Sequence, residues 1–305
     1  MKTTHLGEVA RRQRKALGVP QEMVCEGLCT AMTLSRFESG RQTPSRDCVI
    51  AILQRLGLPG DRYYAQLTGR ETRLLRLREE ALAYCSQFER SLGEERQQAR
   101  IGALQKLHDI ECFIKEDDHI NQQFIMRIRA TVEEHPPQEQ LAMLIDALRL
   151  TSPRFNPNRL DNCLYCEDEL TLISQIAIRH ALCGQRESAI NIYQQLLELV
   201  QKRYPDHDCL HLIAYNYSLH LAGANRLDEA LEISELGRCA CIKHGYFCML
   251  PRFLHIQVGC YYLMGKTSQS AELYRSAYHI YGATMNTKDQ ESLKRNFKEH
   301  SELIL

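Results

Sequence analysis

The stretch QEMVCEGLCTAMTLSRFESGRQTPS, residues 21–45, decides how the chain is read. Gln21 to Gly27 reads as one short helix. A tight turn comes next at Leu28-Cys29, and Thr30 then caps a second short helix that runs to Ser39, with Gly40 just past its end. Leu34 and Phe37 sit three apart and point inward, so Thr30, Met32, Thr33 and Arg36 fall on the leading end or the outward face. Upstream, Leu6, Val9 and Ala10 mark a helix that stops near Gly18. Downstream, Ser45 caps a helix with Val49, Ile52, Leu53 and Leu56 on one face and Gly57 at its end. Asp61 starts a fifth, carrying Tyr63, Tyr64 and Leu67. Residues 1–69 are thus expected to form a five-helix domain.

The rest of the 305-residue chain reads as helical too. Residues 71–91 and 94–115 are highly charged, with Leu, Ala and Ile at helical spacing. Pro136-Pro137 breaks the pattern, a helix covers roughly 138–150, and TSPRFNPNRLDN (151–162) is a loop. From residue 167 a repeat emerges. Its three units read Gly184, Ala189, Tyr193, Leu196; then Asn225, Ala230, Ser234, Gly237; then Gly265, Ser270, Tyr274, Ala277. The third also fits a shifted register through Gly259, Tyr262 and Ala271. Small residues belong where the two helices of a hairpin approach closely, and aromatic residues fill the gap to the next hairpin. That is the logic of an α-solenoid. The expected fold is therefore all-α, in three segments: 1–69, a charged helical linker with weak repeats at 70–165, and a repeat domain at 166–305.

Composition narrows the function. Lys+Arg and Asp+Glu are both 38, so the formal net charge is zero. The balance hides an asymmetry: residues 1–70 carry 11 Lys/Arg against 6 Asp/Glu, leaving 27 against 32 for the remainder. A basic head on an acidic body suits a nucleic-acid partner. No run reaches the roughly 18 apolar residues a membrane span needs, and the first residues lack a signal-peptide core, so a cytoplasmic, nucleoid-associated location is expected. The 13 cysteines are scattered and odd in number, which reads as buried thiols in a reducing compartment.

Helix, turn and second short helix is the helix-turn-helix plan, whose second helix enters the DNA major groove. The candidate DNA contacts are Gln21, Thr30, Ala31, Met32, Thr33, Arg36 and Arg41. Arg36 offers a two-pronged donor to guanine, and Thr33 a contact to a base edge or thymine methyl. Gln21 at a helix start and Arg41 just past the second helix would meet phosphates, while Met32 reads as a groove-wall or packing residue.

The segment resembles the lambda-repressor-like (XRE) helix-turn-helix and, more narrowly, the Rgg/PlcR (RRNPP) group of peptide-sensing regulators of Gram-positive bacteria. The likeness rests on Arg11, Arg14 and Lys15, Gly18, Gln21, the Leu28-Cys29 turn, the block Leu34 to Gly40, and Pro44-Ser45. It implies a structural pair between Arg14 and Glu38. Pro20 departs from it, since the group usually places a Ser or Thr cap there. The repeats resemble tetratricopeptide repeats with a longer period. The combination implies a homodimer whose repeat domain binds a short signalling peptide in a concave groove and thereby tunes DNA binding.

Counting from the repeat anchors places Ser174, Gln175 and Ile178, then Tyr215, Asn216 and Leu219, then Arg252, His255 and Ile256 on the inward helices. Gln175, Tyr215, Asn216, Arg252 and His255 are the candidate peptide contacts. Asn216 would bind a peptide backbone, and Arg252 a terminal carboxylate. Simple packing between repeats is the competing reading for Tyr215 and Leu219. Cys163 and Cys166 form a CxxC that would need a distant pair such as Cys239/Cys241 to hold zinc; buried thiols are the simpler reading. His207, His211 and His220 lack an HExxH frame and read as surface or groove polarity. Lys115 to Asp118 reads as a solvated helix end. No nucleotide loop, nucleophile elbow or dinucleotide fingerprint is present, so neither enzyme chemistry nor a cofactor is expected. The alternatives are a repeat-based interaction adaptor and a ligand-independent repressor of the prophage or toxin–antitoxin type.

Overall fold

A computed structural model describes residues 5–60, 69–203 and 209–298. These residues form fifteen α-helices and one short 3-10 turn, with no strand among them. Packing divides the chain into two compact units, Met1–Cys183 and Gly184–Leu305. The helix Glu167–Leu182, at the start of the segment 166–305, lies in the first unit, where Glu169 is bonded to Arg55 of the head.

The first unit opens with α1 (Leu6–Ala16), α2 (Gln21–Cys25), α3 (Ala31–Glu38) and α4 (Arg46–Arg55). The expected fifth helix, with Asp61, Tyr63, Tyr64 and Leu67, lies outside the described residues. Caps set the starts. The Thr30 hydroxyl accepts from Thr33 N at 3.1 Å, and that of Ser45 accepts from Cys48 N at 3.4 Å. Pro20 opens α2 with no side-chain cap. Ala10, Val24, Leu34, Phe37, Val49, Ile52 and Leu53 close the core of this head, each at most 3% exposed. Leu164 and Ile120, far along the chain, also pack into it.

α5 (Gly69–Arg90) and α6 (Gly93–Glu111) pack on each other, and α7 (His119–Val132), α8 (Pro137–Thr151) and α9 (Glu167–Leu182) come next in the chain. α7 is absent from the sequence reading. Its buried Phe124, Ile125, Ile128 and Val132 join the α5–α6 core. Asp118, expected at a solvated helix end, is the N-cap of α7 and accepts from Asn121 N at 3.2 Å.

The second unit comprises α10 (Arg186–Arg203), α11 (Leu210–Gly223), α12 (Leu227–His244), α13 (Leu250–Leu263), α14 (Thr267–Ala283) and α15 (Thr287–Asn296). The repeat anchors occupy matching places on α10, α12 and α14. Gly184, Asn225 and Gly265 take positive φ (81°, 61° and 74°) in the turns before these helices. Ala189, Ala230 and Ser270, at the next repeat position, are buried against neighbouring helices. Ser270, Tyr274 and Ala277 are fully buried whereas Tyr262 is 39% exposed, so the unshifted register of the third unit is the one that packs.

Gly237 shows why small residues are required there. A Cβ at this position would lie 2.2 Å from the ring of Phe253 on α13. Gly237→Val is therefore expected to destabilise the second unit by about 1–3 kcal/mol through overpacking, despite a better helix propensity. Chemical denaturation of the full chain checks this; an unchanged midpoint would show that the α12–α13 contact yields freely.

Candidate functional site

The outward face of α3 is built as its spacing implies. Met32 is 64% exposed, and Arg36 and Arg41 are exposed as well. Thr30 and Thr33 hold each other, their hydroxyl oxygens 2.9 Å apart. Met32 and Arg36, four apart, share a helix side with nothing from the head covering it. Ala31 is half-buried and packs against the head core. The side-chain amide nitrogen of Gln21, at the start of α2, donates to Glu38 at 2.8 Å.

Beneath this face lies the Arg14–Glu38 pair. Arg14 Nε and Nη2 donate to the two carboxylate oxygens of Glu38 at 2.6 and 2.8 Å, and Nη1 donates to Val19 O at 3.1 Å. One guanidinium thereby joins α1, the turn before α2 and the end of α3. Burial would raise the Glu38 pKa, but Arg14 and Gln21 outweigh it and hold the carboxyl below its ordinary value.

A second, larger network was not anticipated. Arg55, 1% exposed, donates to Val24 O (3.0 Å) and Glu26 O (2.7 Å) at the end of α2, and to Thr151 O (2.8 Å) at the end of α8. It also meets Glu169 of α9, Nη2 to Oε1 at 2.6 Å. Glu169 is fully buried and further accepts from Thr151 Oγ1 (2.6 Å), Ser152 Oγ (3.0 Å) and Cys166 N (2.6 Å). Gly27 in the helix-turn-helix turn sits where a Cβ would lie 2.2 Å from Thr151 O. Around this centre, Arg154 grips Glu26 at 2.6 Å, and Arg78 of α5 reaches Asp168 at 2.7 Å. The head is thus keyed into α8 and α9, which is why α9 belongs to the first unit. The available signal was Arg55 itself, a charge interrupting the apolar run from Val49 to Leu56.

Burial opposes ionisation of both Glu169 and Asp168. Arg55 outweighs it for Glu169, and Arg127 and Arg78 for Asp168, so both pKa values fall, as does that of Glu38. Depressed carboxylates stabilise the fold above their unfolded values and lose that contribution as pH drops through the folded ones. Thermal stability should therefore hold through neutral pH and decline steeply below about pH 4, in the acid range where such groups protonate. Melting scans across pH check this, and a flat acid limb would contradict it.

In the second unit, a groove of about 380 Å³ brings together Tyr215, Leu219, Arg252, His255 and Ile256. Tyr281, Asp289 and Phe297 complete it, from α14, α15 and just beyond; sequence counting stopped short of them. Asn286 caps α15 and donates to Asp289 at 2.8 Å, so the Asn286-x-x-Asp289 spacing was the readable signal. Arg252 Nε donates to Asp289 at 2.9 Å. His255 meets Phe297 edge-on at 5.9 Å, and burial lowers its pKa. Tyr215 meets Phe253 edge-on at 5.8 Å. Asn216 lies on α11 outside the groove lining. Ser174, Gln175 and Ile178 lie on α9 in the first unit, where the side-chain oxygen of Gln175 is buried without a hydrogen-bond partner.

Cys163 and Cys166 are buried thiols, and Cys166 begins α9. Among the described residues no three His, Cys, Asp or Glu groups converge as metal ligands. His211 is buried and stacks on Tyr246 at 4.3 Å, and His220 stacks on Tyr193 at 5.4 Å; His207 lies outside the described residues. No described helix is long and apolar enough to cross a membrane.

A helix-turn-helix head joined to an all-helical body defines the class as a helix-turn-helix protein with a helical-repeat domain. Residues 5–63 match the model of a helix-turn-helix domain, and residues 150–293 match the RNPP family C-terminal domain. The chain thus pairs a helix-turn-helix domain with an RNPP family C-terminal domain. No curated protein sequence matches it. Among solved structures, PlcR of Bacillus thuringiensis in complex with the peptide PapR7 and DNA is 16% identical, with a TM-score of 0.58 over 95% of this chain and 99% of that one. Apo PlcR of the same organism is also 16% identical, with a TM-score of 0.58 over 94% and 98%. These likenesses establish a shared fold.

Proposed function

We propose that this chain is a sequence-specific DNA-binding transcription regulator whose second unit senses a short signalling peptide. The observation that carries the reading is the pairing of an uncovered polar face on α3 with a ligand-sized groove on a separate repeat unit. Thr30, Met32, Thr33 and Arg36 read bases or line the groove wall, and Arg41 meets a phosphate. Gln21 contributes through its hold on Glu38. The protein acts as a homodimer at the nucleoid, two heads reading half-sites about 34 Å apart or at multiples of that. Similarity to PlcR, whose structure holds both a peptide and DNA, supports the same pair of partners here.

The groove favours a peptide with apolar side chains and a free C-terminus. Its walls are Tyr215, Leu219, Ile256 and Phe297, and the Arg252 guanidinium among them is bonded to the Asp289 carboxylate. A terminal carboxylate competes for Arg252 through charge-assisted hydrogen bonds. Asn216, on α11 of the same unit, is a second-line candidate for a peptide backbone contact.

Selection of sheared genomic DNA by the full chain, repeated with a synthetic library of short peptides, tests both halves. Discrete enriched fragments are expected, together with a few peptides that change their capture. Arg252→Ala should abolish the peptide effect and leave the selected sequences unchanged. Absence of enrichment over bulk DNA defeats the DNA-binding reading; enrichment that no peptide alters defeats the sensing one.

A further inference from the structure

DNA reading and peptide sensing make no use of the thiols in the head. Three of the chain's thirteen cysteines gather there: Cys25 on α2, Cys29 in the turn and Cys48 on α4. Cys29 N donates to Cys25 O at 3.0 Å, and Cys48 Sγ lies 3.8 Å from Leu28 O, the carbonyl bonded to the Cys29 nitrogen. The Cys29 thiol interacts with the side chains of both Cys25 and Cys48, and all three belong to one apolar cluster. Access differs among them. Cys25 and Cys48 are buried and Cys29 is half-buried, and Cys29 and Cys48 both line an open cavity of about 590 Å³.

From this juxtaposition we infer that Cys29 and Cys48 form an oxidisable dithiol that switches DNA binding. The oxidant class is a hydroperoxide. One thiol sulfur takes an oxygen from the peroxide, giving a sulfenic acid and one water (an alcohol when an alkyl hydroperoxide reacts). The second thiol displaces hydroxide from that sulfur, forming the S–S bond and another water. The two sulfurs together lose two electrons and the peroxide gains them, so two thiols and one hydrogen peroxide yield one disulfide and two waters.

The bridge would enclose the whole of α3, since residues 30–47 lie between its ends. Thr30, the N-cap of α3, is the next residue after Cys29, and Ser45, the N-cap of α4, lies three before Cys48. A disulfide needs its sulfurs about 2.05 Å apart in a fixed dihedral geometry. Meeting that demand pulls the α2–α3 turn onto α4 and tilts the leading end of α3, where Thr30 and Thr33 sit. Cys25 lowers the Cys29 pKa, but Cys48 and burial outweigh it and carry it to about 12, which keeps the thiolate scarce.

The test treats the full chain with graded hydrogen peroxide, alkylates the remaining thiols, maps disulfides by mass spectrometry, and measures binding to a fluorescent random-sequence duplex at low salt. The expected result is a Cys29–Cys48 cross-linked peptide, at least a several-fold loss of duplex affinity, and recovery with dithiothreitol. Cys29→Ser and Cys29→Ala should each bind like the reduced parent and lose the response to peroxide. Two variants guard against one failing to fold. The exposed Cys112, Cys239 and Cys248 serve as internal references for simple surface thiols. The proposal is overturned if these oxidise while Cys29 and Cys48 stay alkylatable, if the dominant bridge involves other cysteines, or if the Cys29–Cys48 bridge forms and duplex affinity is unchanged.

Discussion

Glu169→Ala is expected to destabilise the first unit by about 3–5 kcal/mol, the usual penalty for breaking a fully buried ion pair from one side. The variant strands Arg55 as an uncompensated charge and leaves Thr151 Oγ1, Ser152 Oγ and Cys166 N without their shared acceptor. For a unit of this size the melting temperature should fall by about 10 °C or more. Hydrogen exchange should quicken most where Arg55 holds the chain, at the end of α2 around Val24 to Glu26. Combining Glu169→Leu with Arg55→Met should recover part of the loss, because removing both charges removes the stranded one. A Glu169→Ala protein that melts with the parent would mean the network holds nothing together. Loss of stability without faster exchange in α2 would mean that Glu169 secures α9 alone.

Arg36→Ala is expected to cost about 1–3 kcal/mol of DNA affinity, concentrated at one base position of the operator. Arg36 lies on the exposed side of α3, four residues from Met32, and its length suits a guanine edge in the major groove. Arg41→Ala should behave differently. It weakens binding to all sequences about equally and lowers the salt dependence by roughly one counterion, as loss of a phosphate contact does. Competition binding with every single-base variant of a selected operator distinguishes them. Were Arg36→Ala uniform across bases, its role would be phosphate contact, and specificity would lie with Thr30 and Thr33.

Much of the head was legible because its signals are local. Thr30 and Ser45 cap helices where their side-chain chemistry demands, Leu34 and Phe37 face inward three apart, and both caps and faces are decided within one or two helical turns. The solenoid was legible for a related reason. A repeat buries equivalent residues in equivalent places, so Ala189, Ala230 and Ser270 announced α10, α12 and α14 before any packing was known. The groove was half legible: Tyr215, Arg252 and His255 came from counting, but Asp289 and Phe297 did not, because they lie past the third anchor.

What the order of amino acids determined by itself is most of the helices (α7 excepted), the outward face of α3 and the period of the repeats, since each depends on residues at most a few turns apart. Tertiary structure alone decided that the head is fastened to α8 and α9 instead of standing apart from them. Arg55 and Glu169 are 114 residues apart, and each is tolerable in an apolar interior only because the other is there. No local pattern marks such a pair, because the energy that justifies either charge exists only once the chain has brought both together.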